Sequence, residues 1–535
     1  MKMKKLNLII ILGMLLFTAG AFAQSANSDM ATVTFSEKYA KPKSSDVRQI
    51  YTLDNGNFVT VREYGEELSF ALYNPDMKLI KGPKKFKFTY KQEEVGKNYF
   101  HSTILVDNKI VILARQKDKK NKQFNVITQV LDLEAFAIYI KPHILFTIPF
   151  SRARWENFEV TVSKNKKFFL LDFFLPSSKK GYKELALKLY DLEGELLWER
   201  KTDLLSKTPE LKKSFDVSSQ GICVLSVTSI VDDKGEAEAK PTVFIINKEG
   251  EVIKEVELNN IKGKDIYITN LEVEFSKDDI LYAVGLYLNE NKRGPIGTIT
   301  FSYDVAKDEI SDVIKQEMPD KAVVEYQGAR RAKKHYDHKK TKGSNALRNY
   351  YIKDVISNSN GYYVILEKYY YTYNSKNRTK TFYYGHILVV NYNKDHEIIW
   401  AKKIPKNQIL VAGGGYSFGL SSFNSALMFA GFSTFAIDDN LYFVYNDNIK
   451  NFKDIKSVKE GKMKSMTRNG YGGGTALTLA KLDGTGKLKM EPLFTVETND
   501  KLLTRPMLSV IQKNESIIIF ARRSKDFRFI KIQPK

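Results

Sequence analysis

The stretch LKLYDLEGELLWERKT (residues 187–202) decides the fold. Apolar and polar residues alternate on both sides of Asp191-Leu192-Glu193-Gly194, as they do in two strands joined by a tight turn. Asp191 favours the turn because its side chain can bond its own backbone, and Gly194 supplies a positive φ at low steric cost. The stretch therefore predicts a β-hairpin.

Weaker copies of this hairpin recur along the chain. Counted on the residue equivalent to Asp191, the copies begin at residues 74, 132, 191, 247, 304, 393 and 483, and the copies at Asp132 and Asp304 are the poorest. The spacings are 58, 59, 56, 57, 89 and 90 residues. The last two steps resemble the same unit carrying an insertion of roughly 30 residues, so the chain is predicted to be a repeat array.

A second hairpin precedes most copies, as in IYTLDNGNFVTVRE (residues 50–63) and VISNSNGYYVILEKY (residues 355–369). Two hairpins give four strands per repeat, the unit of a β-propeller. Residues 508–533 hold only three strands, and ATVTFSEKYA (residues 31–40) holds one unpartnered strand. Pairing these strands would close the ring and protect its edges. We expect an all-β chain forming a single propeller of eight blades, with seven as the alternative.

The pattern Asp-x-x-Gly-Glu-x-x-Trp at residues 191–198 resembles the repeat of quinoprotein-like (PQQ-type repeat) eight-bladed β-propellers. In that superfamily the tryptophan docks between blades, so the resemblance implies a structural role for Trp198 and Trp400. Quinone-dependent members commonly carry a vicinal disulfide, which a single cysteine, Cys223, cannot form. We therefore expect no cofactor. Outer-membrane assembly scaffolds of that fold fit better, although their lipidated N-terminal cysteine is missing here.

The N-terminus has the pattern of a secretory signal peptide. Three lysines precede the apolar run at residues 6–17, and Ala21-Phe22-Ala23 is a small-x-small cleavage site. We expect cleavage after Ala23, a tail with the closing strand at residues 24–45, and the propeller at residues 46–535. Insertions are expected near residues 319–348, 406–428 and 449–474. The mature chain is expected in the periplasm or outside the cell, without a transmembrane segment.

The composition is basic, with 84 Lys and Arg against 62 Asp and Glu. Removing Lys2, Lys4 and Lys5 with the signal peptide lowers the net charge from +22 to +19. A net charge of this size indicates which partners the protein could bind, and it does not indicate the fold. An envelope protein, a glycan or another polyanion is a candidate partner, and no specific nucleic acid is expected. The lysines are spread along most of the chain, which also fits a surface without a dedicated ligand.

Two windows hold the candidate ligand-binding residues. The first is the basic insertion, residues 319–348, expected to form a loop, alone or with one helical turn, and containing Arg330, Arg331, Lys333, Lys334, His335, His338, Lys339 and Lys340. The second is the tyrosine-rich strand, where Tyr369, Tyr371 and Tyr373 alternate onto one face and could stack on sugar rings or pack between blades. His335 and His338 lack an identifiable third ligand, so no metal site is predicted.

The sequence contains no recognisable catalytic motif. Gly413-Gly414-Gly415 and Gly472-Gly473-Gly474 are not followed by Gly-Lys-Ser/Thr, and no Gly-x-Ser-x-Gly elbow occurs. Catalytic residues therefore stay unknown. We expect a non-enzymatic binding or scaffold propeller of the cell envelope. The alternatives are an enzyme acting on a polymer or glycan at the channel mouth, and a polyanion-binding protein that uses the basic insertion.

Overall fold

The computed structural model consists mainly of β-strands. It describes residues 25–40, 47–64, 67–87, 98–149, 158–176, 183–206, 213–228, 230–231, 237–238, 241–258, 260–261, 264–288, 294–342, 346–412, 429–467, 474–496, 501–513, 516–523 and 526–535. The predicted signal peptide, Trp155 and both glycine triplets except Gly474 lie outside these residues.

The strands form eight blades in chain order, with antiparallel pairing throughout the described residues except for one short parallel pair in blade 6. Blades 1 and 2 contain β4 (Val47–Thr52), β5 (Phe58–Tyr64), β6 (Glu67–Tyr73), β7 (Leu79–Lys87), β8 (Asn98–Val106), β9 (Lys109–Asp118), β10 (Gln123–Asp132) and β11 (Ala137–Pro149). Blades 3 and 4 contain β12 (Phe158–Val162), β13 (Phe168–Pro176), β14 (Lys183–Asp191), β15 (Leu196–Ser206), β16 (Lys213–Val217), β17 (Cys223–Val227), β20 (Thr242–Ile246) and β21 (Val252–Glu257).

The later blades carry the additional strands. Blade 5 contains β24 (Ile268–Phe275), β25 (Ile280–Leu288), β26 (Pro295–Asp304), β27 (Glu309–Ile310) and β28 (Ile314–Glu317). Blade 6 contains β29 (Tyr350–Asn358), β30 (Gly361–Asn374), β31 (Thr379–Asn393), β32 (Ile398–Ile404), β33 (Gln408–Ala412) and β36 (Met466–Thr467). Blade 7 contains β34 (Ser433–Ile437), β35 (Asn440–Asn448), β37 (Thr475–Leu482) and β38 (Leu488–Thr495). Two small hairpins flank blade 4, namely β18 (Ile230–Val231) with β19 (Ala237–Glu238) and β22 (Asn260–Ile261) with β23 (Lys264–Asp265).

Blade 8 closes the ring as the sequence predicted. Its three C-terminal strands are β39 (Leu503–Gln512), β40 (Ser516–Arg522) and β41 (Asp526–Pro534). The N-terminal strand β2 (Ala31–Phe35) pairs antiparallel with β41, and β1 (Ser25–Asn27) and β3 (Tyr39–Ala40) extend this sheet. The edge that the last three strands would otherwise expose is therefore covered by the start of the chain.

The turn chemistry explains both the good and the poor copies of the repeat. The seven repeat residues each begin the turn between the third and fourth strands of a blade. In the good copies the anchor side chain accepts a hydrogen bond from the backbone N–H four residues on, as Asp191 Oδ1 does from Glu195 at 2.8 Å. In the poor copies the positive φ falls one residue later, at Phe136 and Asp308.

The hydrophobic core is divided among the blade interfaces. Each of the eight large clusters joins side chains of two adjacent blades, and blades 8 and 1 share one of them. This arises because alternate residues of a strand point to opposite faces of its sheet. The described residues therefore form eight blades and eight interfaces, which selects eight over the alternative of seven.

Two tryptophans dock between blades, as the resemblance implied. Trp198 of blade 3 contacts the turn of blade 4 at Gly250, where a Cβ atom would lie 3.1 Å from the indole. Trp400 of blade 6 contacts Gly486 of blade 7 in the same way, and its Nε1 donates to Gly484 O at 2.9 Å. The repeat therefore places a large ring on one blade and a glycine with positive φ on the next.

The basic insertion is helical, so the prediction of a loop was wrong. It forms α1 (Asp320–Val324) and α2 (Ala329–Lys342), which lie between blades 5 and 6. A run of Ala, Arg and Lys without glycine or proline favours this helix. Blade 7 carries α3 (Lys450–Lys453) and α4 (Ile455–Lys459) between β35 and β37. The two pairs of helices meet where a Cβ at Gly328 would lie 2.3 Å from Glu460 O. Among the described residues, no helix has the length and hydropathy needed to cross a bilayer.

Candidate functional site

The first strands of neighbouring blades contact one another around the centre of the ring. Acidic residues on two of them link successive blades. Asp216 Oδ2 of blade 4 accepts a hydrogen bond from Phe275 N of blade 5 at 2.6 Å, and Glu274 Oε2 of blade 5 accepts one from Val355 N of blade 6 at 3.2 Å. Each carboxylate thus satisfies a backbone donor of the next blade.

Lysines neutralise part of the acidic belt, which consists of Asp216, Glu274 and Asp354 on the first strands of blades 4, 5 and 6. Lys164 Nζ lies 3.0 Å from both Asp216 Oδ2 and Glu274 Oε1. Burial disfavours the charged form of Lys164, but its attraction to the two carboxylates outweighs burial and raises its pKa. Asp172 pairs with Lys213, and burial nevertheless raises the pKa of Asp172 to about 6. The belt is therefore a set of mutually compensating charges.

Glu274 and Asp354 form a carboxyl pair where blades 5 and 6 meet. Burial, and next repulsion from Asp354, raise the pKa of Glu274 to about 7. Burial also raises the pKa of Asp354, while a hydrogen bond to Glu274 opposes that rise. Two neighbouring carboxyls in a desolvated setting cannot both ionise without cost, which is why the pKa of each lies above its usual range.

A second ionic cluster is more deeply buried. Glu367 lies between two lysines, with Lys406 Nζ 2.5 Å from its Oε1 and Lys353 Nζ 3.6 Å from its Oε2. Glu367 and Lys406 are 3% and 0% exposed, whereas Lys353 is 41% exposed. Lys406 also donates to Gln408 Oε1 at 3.2 Å. Burial lowers the pKa of Lys406 although Glu367 counteracts it.

A cavity of about 280 Å³ opens beside these two clusters. Its volume lies just below the range of roughly 300–1,000 Å³ that is typical of ligand pockets. It is lined by Lys353, Asp354, Glu367, Tyr384, Gly431, Phe432, Thr434 and Met507. Met507 is 62% exposed and marks the opening. The Oγ1 atom of Thr434 is buried and has no hydrogen-bond partner among the described residues. The cavity therefore combines charged groups, aromatic rings and one unsatisfied hydroxyl.

The predicted tyrosines continue from this cavity. Cross-strand pairing places Tyr369 opposite Tyr384, Tyr371 opposite Phe382 and Tyr373 opposite Lys380. The ring of Tyr369 lies 4.9 Å from that of the cavity residue Tyr384. Tyr371 and Tyr373 are 55% and 57% exposed, whereas Tyr369 is partly buried. We call this set, Tyr384, Tyr369, Phe382, Tyr371 and Tyr373, the aromatic stripe.

The predicted basic residues lie apart from the stripe. Arg331 on α2 lies near Lys368, whose pKa is lowered first by burial and then by Arg331 and Arg348. Lys368 neighbours Glu367 in the strand and points to the opposite face, since successive side chains alternate. Arg330, Arg331, Lys333 and Lys334 are exposed.

Other basic residues of the insertion are paired. His335 Nε2 lies 3.0 Å from Asp320 Oδ1, and Lys339 Nζ lies 3.1 Å from Asp320 Oδ2 and 3.2 Å from Glu317 Oε2. The side chains of His338 and Lys340 lie outside the described residues. In the described part of the chain, no three His, Cys, Asp or Glu side chains gather as a metal site would require.

Sequence reasoning missed the acidic belt and the cavity. Their residues come from different blades, so no spacing in the chain brings them together. One signal was present: Asp216, Glu274 and Asp354 each directly precede an apolar residue in the first strand of a blade. An acidic residue at the same place in successive inner strands indicates a shared position at the channel.

Comparisons with known proteins find a likeness in fold and none in sequence. No family model matches the chain, and no curated protein matches its sequence. Solved propellers are similar to it in structure. The WD40 domain of SCAP from fission yeast has a TM-score of 0.40 at 8% identity, covering 96% of this chain and 98% of that one.

Two further structures give similar values. The oligogalacturonate lyase of Vibrio parahaemolyticus has a TM-score of 0.37 at 9% identity, covering 87% of this chain and 98% of that one. The propeller domain of the Trilobed protease of Pyrococcus furiosus has a TM-score of 0.34 at 12% identity, covering 82% and 94%. No function is taken from these likenesses. An eight-bladed propeller is compatible with both binding and enzymatic roles.

Proposed function

We propose that this protein is a non-enzymatic binding or scaffold propeller whose ligand enters the cavity beside Lys353 and Asp354. One observation supports the proposal above others: the charges that line the cavity compensate one another. Glu367 is held by two lysines, and Asp354 forms a hydrogen bond with Glu274, which itself pairs with Lys164. Such groups are suited to orient a ligand through hydrogen bonds while apolar walls supply contact area.

The test blocks the opening of the cavity without disturbing its charges. The chain from Gln24 onward is screened against glycans, polyanions and envelope extract, as wild type and as Met507→Trp. Ile511→Trp is the matched control, because Ile511 lies on the same strand, is 41% exposed and does not line the cavity. We expect one ligand to be lost in Met507→Trp and kept in Ile511→Trp. Ligands that bind both variants equally would contradict the proposed site.

A second candidate is an enzyme acting on a polymer or glycan. The Glu274–Asp354 pair favours it, because burial raises the pKa of Glu274 to about 7 and a carboxyl with a raised pKa can serve as a general acid. Release of new chain ends from polysaccharides is the assay. Activity abolished by Asp354→Asn and kept in Met507→Ala would favour the enzyme. Binding without turnover would favour the scaffold.

We also propose that the chain is exported and that its signal peptide is removed after Ala23. N-terminal sequencing of the protein from the envelope fraction should begin at Gln24.

The polyanion alternative relies on the exposed residues of α2. It predicts heparin binding that weakens steeply with salt, and a smaller salt slope when Arg330, Lys333 and Lys334 are replaced by alanine.

A further inference from the structure

We infer that the ligand is an uncharged oligosaccharide that places one sugar in the cavity and extends along the aromatic stripe. This inference rests on the proposed function and adds the class of ligand. The stripe begins inside the cavity at Tyr384 and continues through rings 4.9 Å, 6.5 Å and 6.0 Å apart to Tyr371. Phe382 is 5% exposed and Tyr369 is half-buried, so these two rings connect the cavity to the exposed rings of Tyr371 and Tyr373 on the same face of blade 6.

The charge balance of the cavity favours an uncharged ligand. Of the groups that line the cavity, Lys353 is basic and Asp354 and Glu367 are acidic, while the buried Lys406 behind them pairs with Glu367. A polyanion would meet Asp354 and Glu367, and a polycation would meet Lys353. A purely apolar ligand would cover charged groups without giving them hydrogen bonds, which is costly. A ligand with many hydroxyl groups can donate to the carboxylates and accept from Lys353 and Thr434.

The stripe favours a ligand with flat apolar faces. A sugar ring has a C–H face and a hydroxyl edge, and an exposed tyrosine offers a matching apolar ring with a polar tip. Tyr371 and Tyr373 stand two residues apart on one strand, which separates their positions by roughly 7 Å. Lys380 Nζ lies 5.3 Å from the centre of the Tyr371 ring and fixes that ring from the neighbouring strand. A chain of linked rings can occupy cavity and stripe together.

The experiment compares chain lengths by calorimetry. The probes are the monosaccharides and hexasaccharides of the cello-, manno-, xylo- and chito-series, with hexagalacturonate as the acidic comparison. The variants are Tyr371→Ala/Tyr373→Ala and Met507→Trp, with Tyr370→Ala as the control. Tyr370 is 38% exposed, stacks on Tyr383 and lies on the opposite face.

We expect one uncharged hexasaccharide to bind more tightly than its monosaccharide. The double tyrosine variant should lose roughly tenfold in affinity for the hexasaccharide, the size expected for two aromatic contacts, and nothing for the monosaccharide. Equal affinity of the two lengths would refute the role of the stripe. Preference for hexagalacturonate, or no binding of any sugar, would refute the ligand class. If another ligand then proved sensitive to Met507→Trp, the proposed function would stand; if none did, both would fail.

Discussion

The buried pair of Lys406 and Glu367 allows a quantitative test of the electrostatics beneath the cavity. Glu367→Gln leaves the fully buried Lys406 ammonium with neutral amide oxygens as near acceptors, including that of Gln408 at 3.2 Å, in place of a carboxylate. Removing one member of a buried ion pair costs about 3–5 kcal/mol. Lys406→Met is expected to cost less, about 2 kcal/mol, because Glu367 keeps Lys353 at 3.6 Å.

Combining the two changes removes both charges. Replacing a buried pair by groups of similar volume is often close to neutral, so Glu367→Gln/Lys406→Met should cost clearly less than the sum of the single changes. The entropy of unfolding is about 2 cal per mol per K for each residue. For roughly 500 residues, a loss of about 4 kcal/mol in the free energy of unfolding therefore lowers Tm by about 4 °C.

The assay is calorimetry together with urea unfolding of the three variants. The control is Glu460→Gln, which removes the exposed pair of Glu460 with Lys462 and should change stability by less than about 1 kcal/mol. If Glu367→Gln cost no more than Glu460→Gln, or if the two changes were additive, the pair would not be buried and coupled as described.

Three further predictions concern the scaffold. Gly486→Ala should lower Tm by about 2 °C, because φ is +80° and the new Cβ would lie 2.9 Å from an indole ring, whereas Gly484→Ala should not. Burial raises the pKa of Asp447 to about 7, so wild type should lose stability relative to Asp447→Asn as pH rises from about 4 to 7, measured by urea unfolding at each pH. A relative gain over that range would contradict the burial of this carboxyl. Phe35→Ala should cost about 3–5 kcal/mol and make blade 8 sensitive to proteolysis, whereas the partly exposed Thr34→Ala should do neither.

The fold could be predicted from the sequence because its turns are local. Asp191 with Gly194 specifies a turn within four residues, and seven copies of that turn together with the composite closing blade predict eight blades. The helix α2 could also have been predicted, since residues 329–342 contain neither glycine nor proline. The pairing of Glu274 with Asp354 could not, because it joins residues of two blades that are 80 positions apart. The cavity depends on three blades in the same way.

The closing strand has a consequence for the timing of folding. Residue 35 is synthesised about 490 residues before its partner strand β41 begins. At about 5–20 residues per second, β2 waits roughly half a minute to a minute and a half. During that interval the growing chain has two sheet edges that nothing covers. A chain that stops early keeps those edges, so the same strand that seals a finished molecule leaves an unfinished one open to proteases.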